Sequence, residues 1–177
     1  MCAIEIEPAL RTQRLRLRRP RQSDAARIAE YCSDIDVARM TSRIPHPYAL
    51  ADAYAFLDLQ DLKDPNSDVT FAIEHPEAGF MGALSFYRNA QGHSEIGYWL
   101  GRPHWGQGYA TEAVERALVW ANLDWRRRFV VAGHAVDNPA SGQVLIKTEF
   151  LYTGEVKLQP SAARNCDVPV RMMVWLA

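Results

Sequence analysis

With 177 residues, 48% of them hydrophobic, the chain can bury one full core and is too short for two ordinary domains. Its 20 basic and 21 acidic residues leave a formal net charge of −1, which argues against nucleic acid or a membrane surface as partner. There is no apolar run of the roughly 18–20 residues a membrane span needs, Met1–Glu7 has no secretory-signal pattern, and Cys2, Cys32 and Cys166 lack metal-like spacing, so a reducing, cytoplasmic setting is expected.

Residues 14–18 alternate strictly as Arg-Leu-Arg-Leu-Arg, the pattern of a strand with one solvated face. Ser23 is a good helix cap ahead of Asp24, Ala26, Ile28, Ala29 and Cys32. Pro45-His46-Pro47 reads as a loop. Ala53, Phe56, Leu57 and Gln60 then recur at helical spacing over 50–62, until Pro65-Asn66 stops the pattern. Three strands follow at 69–74, 80–87 and 95–100, joined by turns at 76–79 and 89–92, as an antiparallel meander. After Gly108 the apolar positions Ala110, Ala113, Val114, Ala117, Leu118 and Ala121 make one helical face. A strand is expected at 129–132, a helix capped by Asn138 with Pro139 at its first position, and a final strand at 168–176. The whole reads as one α+β domain around a mixed, mostly antiparallel sheet of about six or seven strands, with helices on both faces. The strand–helix–strand unit over 95–132 supplies its parallel pairing.

The strand ending Ile96-Gly97-Tyr98-Trp99-Leu100 leads through Gly101-Arg102-Pro103-His104 into Trp105-Gly106-Gln107-Gly108-Tyr109-Ala110-Thr111-Glu112-Ala113. The first turn of a helix exposes unpaired N–H groups at the positive end of its dipole, and small residues at 106, 108 and 110 let an anion approach them. An ATP- or GTP-type phosphate loop needs Lys and Ser or Thr after the glycine, where Tyr109 and Ala110 stand. A dinucleotide fingerprint wants glycine at Thr111. A tight strand-to-helix turn and an anion site both remain open on spacing alone.

This segment resembles the acetyl-CoA motif of the Gcn5-related N-acetyltransferases (GNAT), and specifically the RimJ/RimL-type branch that acetylates N-termini of ribosomal proteins. Thr12-Gln-Arg-Leu-Arg-Leu-Arg-Arg and Asn138-Pro-Ala-Ser141 carry the same resemblance, which spans about residues 12–176. It implies that the strands at 95–100 and 129–133 splay apart and that the pantetheine arm of acetyl-CoA enters between them. Tyr98, Trp99 and Leu100 would line the arm, and Trp105, Gly106, Gln107, Gly108, Tyr109, Ala110 and Thr111 would form the pyrophosphate turn. Asn138 would cap its helix and reach the pantetheine amides. Two positions depart from the family pattern: Leu145 stands where many relatives carry an acidic tyrosine, and Glu149 where a glycine turn is usual.

Acetyl transfer needs a neutral amine. An α-amine with a pKa of about 7.8 is roughly one-third neutral near pH 7.5, against roughly 0.1% for lysine at about 10.4. Neutralising the α-amine therefore costs under about 1 kcal/mol, and lysine about 4. Glu95, on the face opposite Ile96, Tyr98 and Leu100, is the candidate base, and an ordinary solvated edge residue is its other reading. Ser141 is the family-like proton donor to the thiolate, with a simple capping role as its other reading. The five histidines have no metal spacing and suit surface or loop roles, and Arg126-Arg127-Arg128 reads as a solvated run or a contact to the cofactor's 3′-phosphate. The expected activity is acetyl transfer from acetyl-CoA, without metal, to a protein or peptide N-terminal α-amine. A small amine (antibiotic, polyamine or amino acid) is the alternative acceptor, and a non-catalytic acyl-CoA-binding module the alternative class. A monomer or homodimer fits either.

Overall fold

The computed structural model describes residues 9–177. Cys2 and the expectation drawn from Met1–Glu7 lie outside them. The sheet comprises β1 (Leu10–Arg11), β2 (Arg16–Arg18), β3 (Val69–His75), β4 (Gly79–Arg88), β5 (Ser94–Leu100), β6 (Phe129–Ala135), β7 (Leu151–Ser161) and β8 (Cys166–Leu176). Their order across it is β1-β2-β3-β4-β5-β6-β8-β7. All neighbours are antiparallel except β5 and β6. The helices are α1 (Ala25–Cys32), α2 (Ile35–Ala38), α3 (Leu50–Asp61), α4 (Tyr109–Leu123) and α5 (Pro139–Lys147).

The expected α+β architecture is present, with eight strands where six or seven were expected. One addition is β1, too short to leave a pattern. The other is β7, an edge strand exposed along most of its length, so its sequence lacks the alternation that burial imposes. One face of the sheet packs Leu17, Phe71, Leu84, Phe86 and Ile96 against α4 and Leu145 of α5. The other packs Ala72, Phe80 and Trp99 against α1 and α3. Helix α4 buries Ala113, Val114, Ala117, Leu118, Trp120 and Ala121, so its small residues let the helix lie close to the sheet.

The arginine-rich start is not a solvated strand face. Only 16–18 is strand, and Arg18 is buried, donating to both carboxylate oxygens of Asp24 at 2.8 Å and to Glu74 at 2.8 Å. Hydrogen bonding by Asp24, against the opposing effect of burial and with help from Glu74, holds this guanidinium well above its ordinary range. Arg14 clamps the turn before α4. It donates to Glu112 at 2.7 Å and to the Gln107 carbonyl at 3.0 Å, and lies 4.4 Å from the centre of the Tyr109 ring. Arg126–Arg128 follow α4 at the end far from that turn. A 15-residue helix, about 22 Å long, separates them from it, which removes the 3′-phosphate reading.

At the other end of α5 the glycine-less turn forms all the same. Glu149 takes φ 68°, its N–H donates to Ile146 at 3.1 Å, and the Phe150 N–H donates to Leu145 at 2.9 Å. This is the paired closure glycine normally serves, reached by a residue for which the left-handed conformation is costly. Buried Phe150 anchors the turn in the core.

Strands β5 and β6 pair only where Ser94–Ile96 faces Val130–Ala132. Beyond that, β5 runs on to Leu100 and β6 to Ala135 without pairing to each other. The sheet is therefore open at one point, and the candidate site residues gather there.

Candidate active site

The turn entering α4 is shaped for an anion. Gly106 and Gly108 have φ 72° and 80°, a conformation L side chains rarely adopt, and a Cβ on Gly106 would stand in open space. Among the described residues, none of the N–H groups from Gly106 to Thr111 has a hydrogen-bond acceptor. Six unpaired donors at the positive end of a 15-residue helix fit a pyrophosphate. The turn is braced by the protein itself: the Trp105 indole donates to the Leu100 carbonyl at 2.8 Å, and the Gln107 side chain to Pro103 at 2.9 Å. Glu112 receives Thr12 Oγ1, the Arg14 N–H and the Arg14 guanidinium. Burial pushes its carboxyl up, but these hydrogen bonds and the Arg14 charge outweigh it and leave the group below the usual carboxylate range.

From this turn a cavity of about 290 Å³ runs along the open edge of β5. Tyr98, Trp99, Leu100, Trp105, Asn138 and Ser141 are among its walls. Asn138 caps α5 as expected, its side chain accepting the Ser141 N–H at 3.2 Å. Ser141 is in the first turn of α5 and has a partner the sequence did not disclose. The Tyr98 hydroxyl lies 3.0 Å from Ser141 Oγ and donates to the Ser141 carbonyl at 3.0 Å. Burial, partly offset by the hydrogen bond to Ser141, holds the Tyr98 phenol well above its ordinary range, so it keeps its proton at neutral pH.

Glu95 is on the opposite face of β5, as alternation required. It is not a freely solvated edge residue: Tyr87 Oη donates to one carboxylate oxygen at 2.9 Å and Asn89 Nδ2 to the other at 3.1 Å. Burial, and then the Glu95 charge, raise the Tyr87 phenol, which stays a donor. A second cavity, about 520 Å³, is walled by Glu95 from one face and by Tyr98 and Ser141 from the other. The gap between β5 and β6 thus joins the two faces of the sheet. A third, about 580 Å³, continues from Glu95 past Asn89, His93 and Phe129 toward β7.

His134 departs from the surface role expected of the histidines. It is buried on β6, with Nδ1 2.9 Å from the Ala135 carbonyl and Nε2 2.9 Å from Tyr152 Oη. With Nδ1 protonated, Nε2 accepts from Tyr152. A Cβ on Gly142 would lie 2.8 Å from His134 Nε2, so the absence of a side chain at 142 lets α5 settle onto this pair. Its place beside Asn138–Ser141 was legible only through the fold. Cys32 is buried and its thiol pushed up to about 12 by burial, whereas Cys166 is exposed. Among the described residues, no group of His, Cys, Asp and Glu could hold a metal ion, and no helix is long and apolar enough to cross a membrane.

Comparison with known proteins agrees with this geometry. The family model described as "Acetyltransferase (GNAT) domain" matches residues 14–151. An uncharacterized N-acetyltransferase, p20, from Bacillus licheniformis is 33% identical over 163 residues, covering 90% of this chain and 92% of that protein. The ribosomal-protein-serine acetyltransferase of Escherichia coli (strain K12) is 39% identical over 85 residues, 46% of each chain. Among solved structures, RimL, a ribosomal L7/L12 alpha-N-protein acetyltransferase in complex with coenzyme A, superposes with a TM-score of 0.81 at 18% identity. That alignment covers 96% of this chain and 98% of RimL.

Proposed function

The chain belongs to the GNAT family of acetyl-CoA-dependent N-acetyltransferases, and from that premise we propose that its acceptor is the α-amine of a protein or peptide N-terminus. In this reading the turn over 105–111 receives the pyrophosphate, and Tyr98–Leu100 with Asn138 receive the pantetheine arm. Acetyl-CoA supplies an acetyl group on a thiol whose pKa, about 8.5 like that of cysteine, makes it a fair leaving group. The amine nitrogen attacks the thioester carbonyl directly. An N–C bond forms, the C–S bond breaks, and the sulfur leaves as a thiolate.

Two groups of this chain serve the transfer. Glu95, steadied by Tyr87 and Asn89, accepts the proton the amine loses, directly or through a water. On the other face Ser141 Oγ, 3.0 Å from the Tyr98 hydroxyl that positions it, donates a hydrogen bond to the departing thiolate, which takes its proton from solvent. The Tyr98–Ser141 pair thus compensates for Leu145, which is buried in the core and cannot donate.

The observation that carries the reading is the opening between β5 and β6. There a carboxylate on one face and a hydroxyl pair on the other wall the same cavity. Choice of the α-amine rests on the sparse acid–base equipment, which suits an acceptor needing under about 1 kcal/mol to be neutral better than lysine. Similarity to the ribosomal-protein acetyltransferases supports it by analogy. The test is thiol release from acetyl-CoA with a panel of N-terminally free peptides, polyamines and amino acids. Release driven by the peptides is expected. Release driven by small amines alone moves the acceptor to that class, and tight acetyl-CoA binding without release on any amine leaves an acyl-CoA-binding module.

A further inference from the structure

The acceptor side of the cavity has an unusual charge distribution. Besides Glu95, its charged lining comprises Arg39, Arg43, Asp52 and Lys63. Arg39 is paired with Asp36 at 3.0 Å, and Asp52 is engaged by the Ala49 N–H at 2.7 Å as the cap of α3. Lys63 and Arg43 have no carboxylate partner among the described residues. The Lys63 ammonium donates only to Gln60 at 2.9 Å and Thr70 at 3.2 Å, both neutral, and it is half-buried. Burial lowers its pKa; the Asp68 charge opposes this and the neighbouring Arg43 charge adds to it. Arg43 lies 4.1 Å from the centre of the Tyr87 ring, the same tyrosine whose hydroxyl holds Glu95.

Two neighbouring cations of one sign facing a cavity, Lys63 half-buried and Arg43 exposed at its rim, are unfavourable for the empty protein and favourable for an anion that enters it. Arginine and lysine together offer the donor geometry a carboxylate takes. We propose that the acceptor carries a carboxylate close to its reacting amine, and that Lys63 and Arg43 bind it while Glu95 faces the amine. This rests on the α-amine reading given above and sharpens it: the preferred substrate is an N-terminus followed at once by acidic residues. A polyamine, which carries no carboxylate and is itself cationic, meets two cations without carboxylate partners on this wall.

The experiment measures kcat/KM for N-terminally free hexapeptides identical except at residues 2 and 3, which are both Glu, both Gln or both Lys. Free glutamate and spermidine are added as small-molecule arms. The enzyme prefers the Glu peptide over the Gln peptide by about tenfold or more, as for a hydrogen bond between charged groups, and over the Lys peptide by a larger factor. In Lys63→Met and in Arg43→Gln that Glu-to-Gln ratio falls toward one, with acetyl-CoA affinity by calorimetry as the control for folding. Equal rates on all three peptides, or preference for the Lys peptide acetylated at its N-terminus, overturns the proposal while leaving acetylation of an α-amine intact, whereas preference for spermidine overturns both. Turnover of glutamate but of no peptide, with the same dependence on Lys63, keeps the carboxylate site and rejects the protein N-terminus. Absence of turnover on every amine rejects both.

Discussion

Gly108→Val separates cofactor binding from folding. Gly108 has φ 80°, and its absent Cβ would have the tip of Arg14 as nearest atom, at 3.5 Å, an ordinary contact with a flexible side chain. The cost to the fold is therefore the left-handed backbone itself, about 1–2 kcal/mol and somewhat more for a branched residue. A domain with about 5–15 kcal/mol of stability survives that. The cost to binding is larger. If the turn relaxes toward negative φ, about two of the N–H donors between Gly106 and Thr111 turn away from the pyrophosphate. Charge-assisted hydrogen bonds are worth about 1.5–3 kcal/mol each, so the loss is about 3–6 kcal/mol, or roughly 10²–10⁴ in Kd. Calorimetric titration with acetyl-CoA, beside a thermal melt of the same sample, reads both numbers. An unchanged Kd in a folded Gly108→Val protein refutes the assignment of the turn.

Ser141→Ala is expected to lower kcat by about 10–100-fold with little change in acetyl-CoA affinity. Tyr98→Phe should lower it similarly, and the double variant by less than the product, because the two hydroxyls act as a unit 3.0 Å apart. Additive effects on stability, with kcat per folded molecule intact, would confine both to structure. Glu149→Gly relieves the φ of 68° at the end of α5 and should stabilise the protein by about 1 kcal/mol, raising Tm by about 2–4 °C; a lower Tm would contradict the strain. The Glu112 carboxyl is held below its unfolded value, so its contribution is complete above that value and is lost as pH falls through the folded one. Below about pH 4 the wild type should therefore lose stability more steeply than Glu112→Gln. Parallel acid-denaturation curves for the two would remove the clamp on the α4 turn.

Much of the fold was legible because burial writes periodicity into sequence. Helix α4 recurs as one-sided burial demands, strands β3, β4 and β6 stand as apolar runs buried on both faces, and Asn138-Pro139 and Gly108 mark helix starts by backbone chemistry. Exposed β7 and two-residue β1 carry no such imprint. The arginines of 14–18 misled because a long polar side chain at alternate positions looks the same whether it meets water or, like Arg18, Asp24 and Glu74. Within the site, Glu95, Tyr98, Ser141 and Asn138 were named by motif and strand parity. The partners that define their chemistry were not, since Tyr98 and Ser141 are 43 positions apart and meet only when α5 folds over the gap. His134 and the Arg43–Lys63 pair were hidden for the same reason.

The most direct test of the central claim takes one peptide containing a single lysine, in two forms: N-terminus blocked and lysine free, or lysine blocked and N-terminus free. With acetyl-CoA saturating, kcat/KM is measured for each by thiol release and the acetylated atom is located by mass spectrometry. The proposed α-amine chemistry requires turnover of the form with a free N-terminus and little or none of the other. Activity that survives N-terminal blocking and vanishes when the lysine is blocked would contradict it.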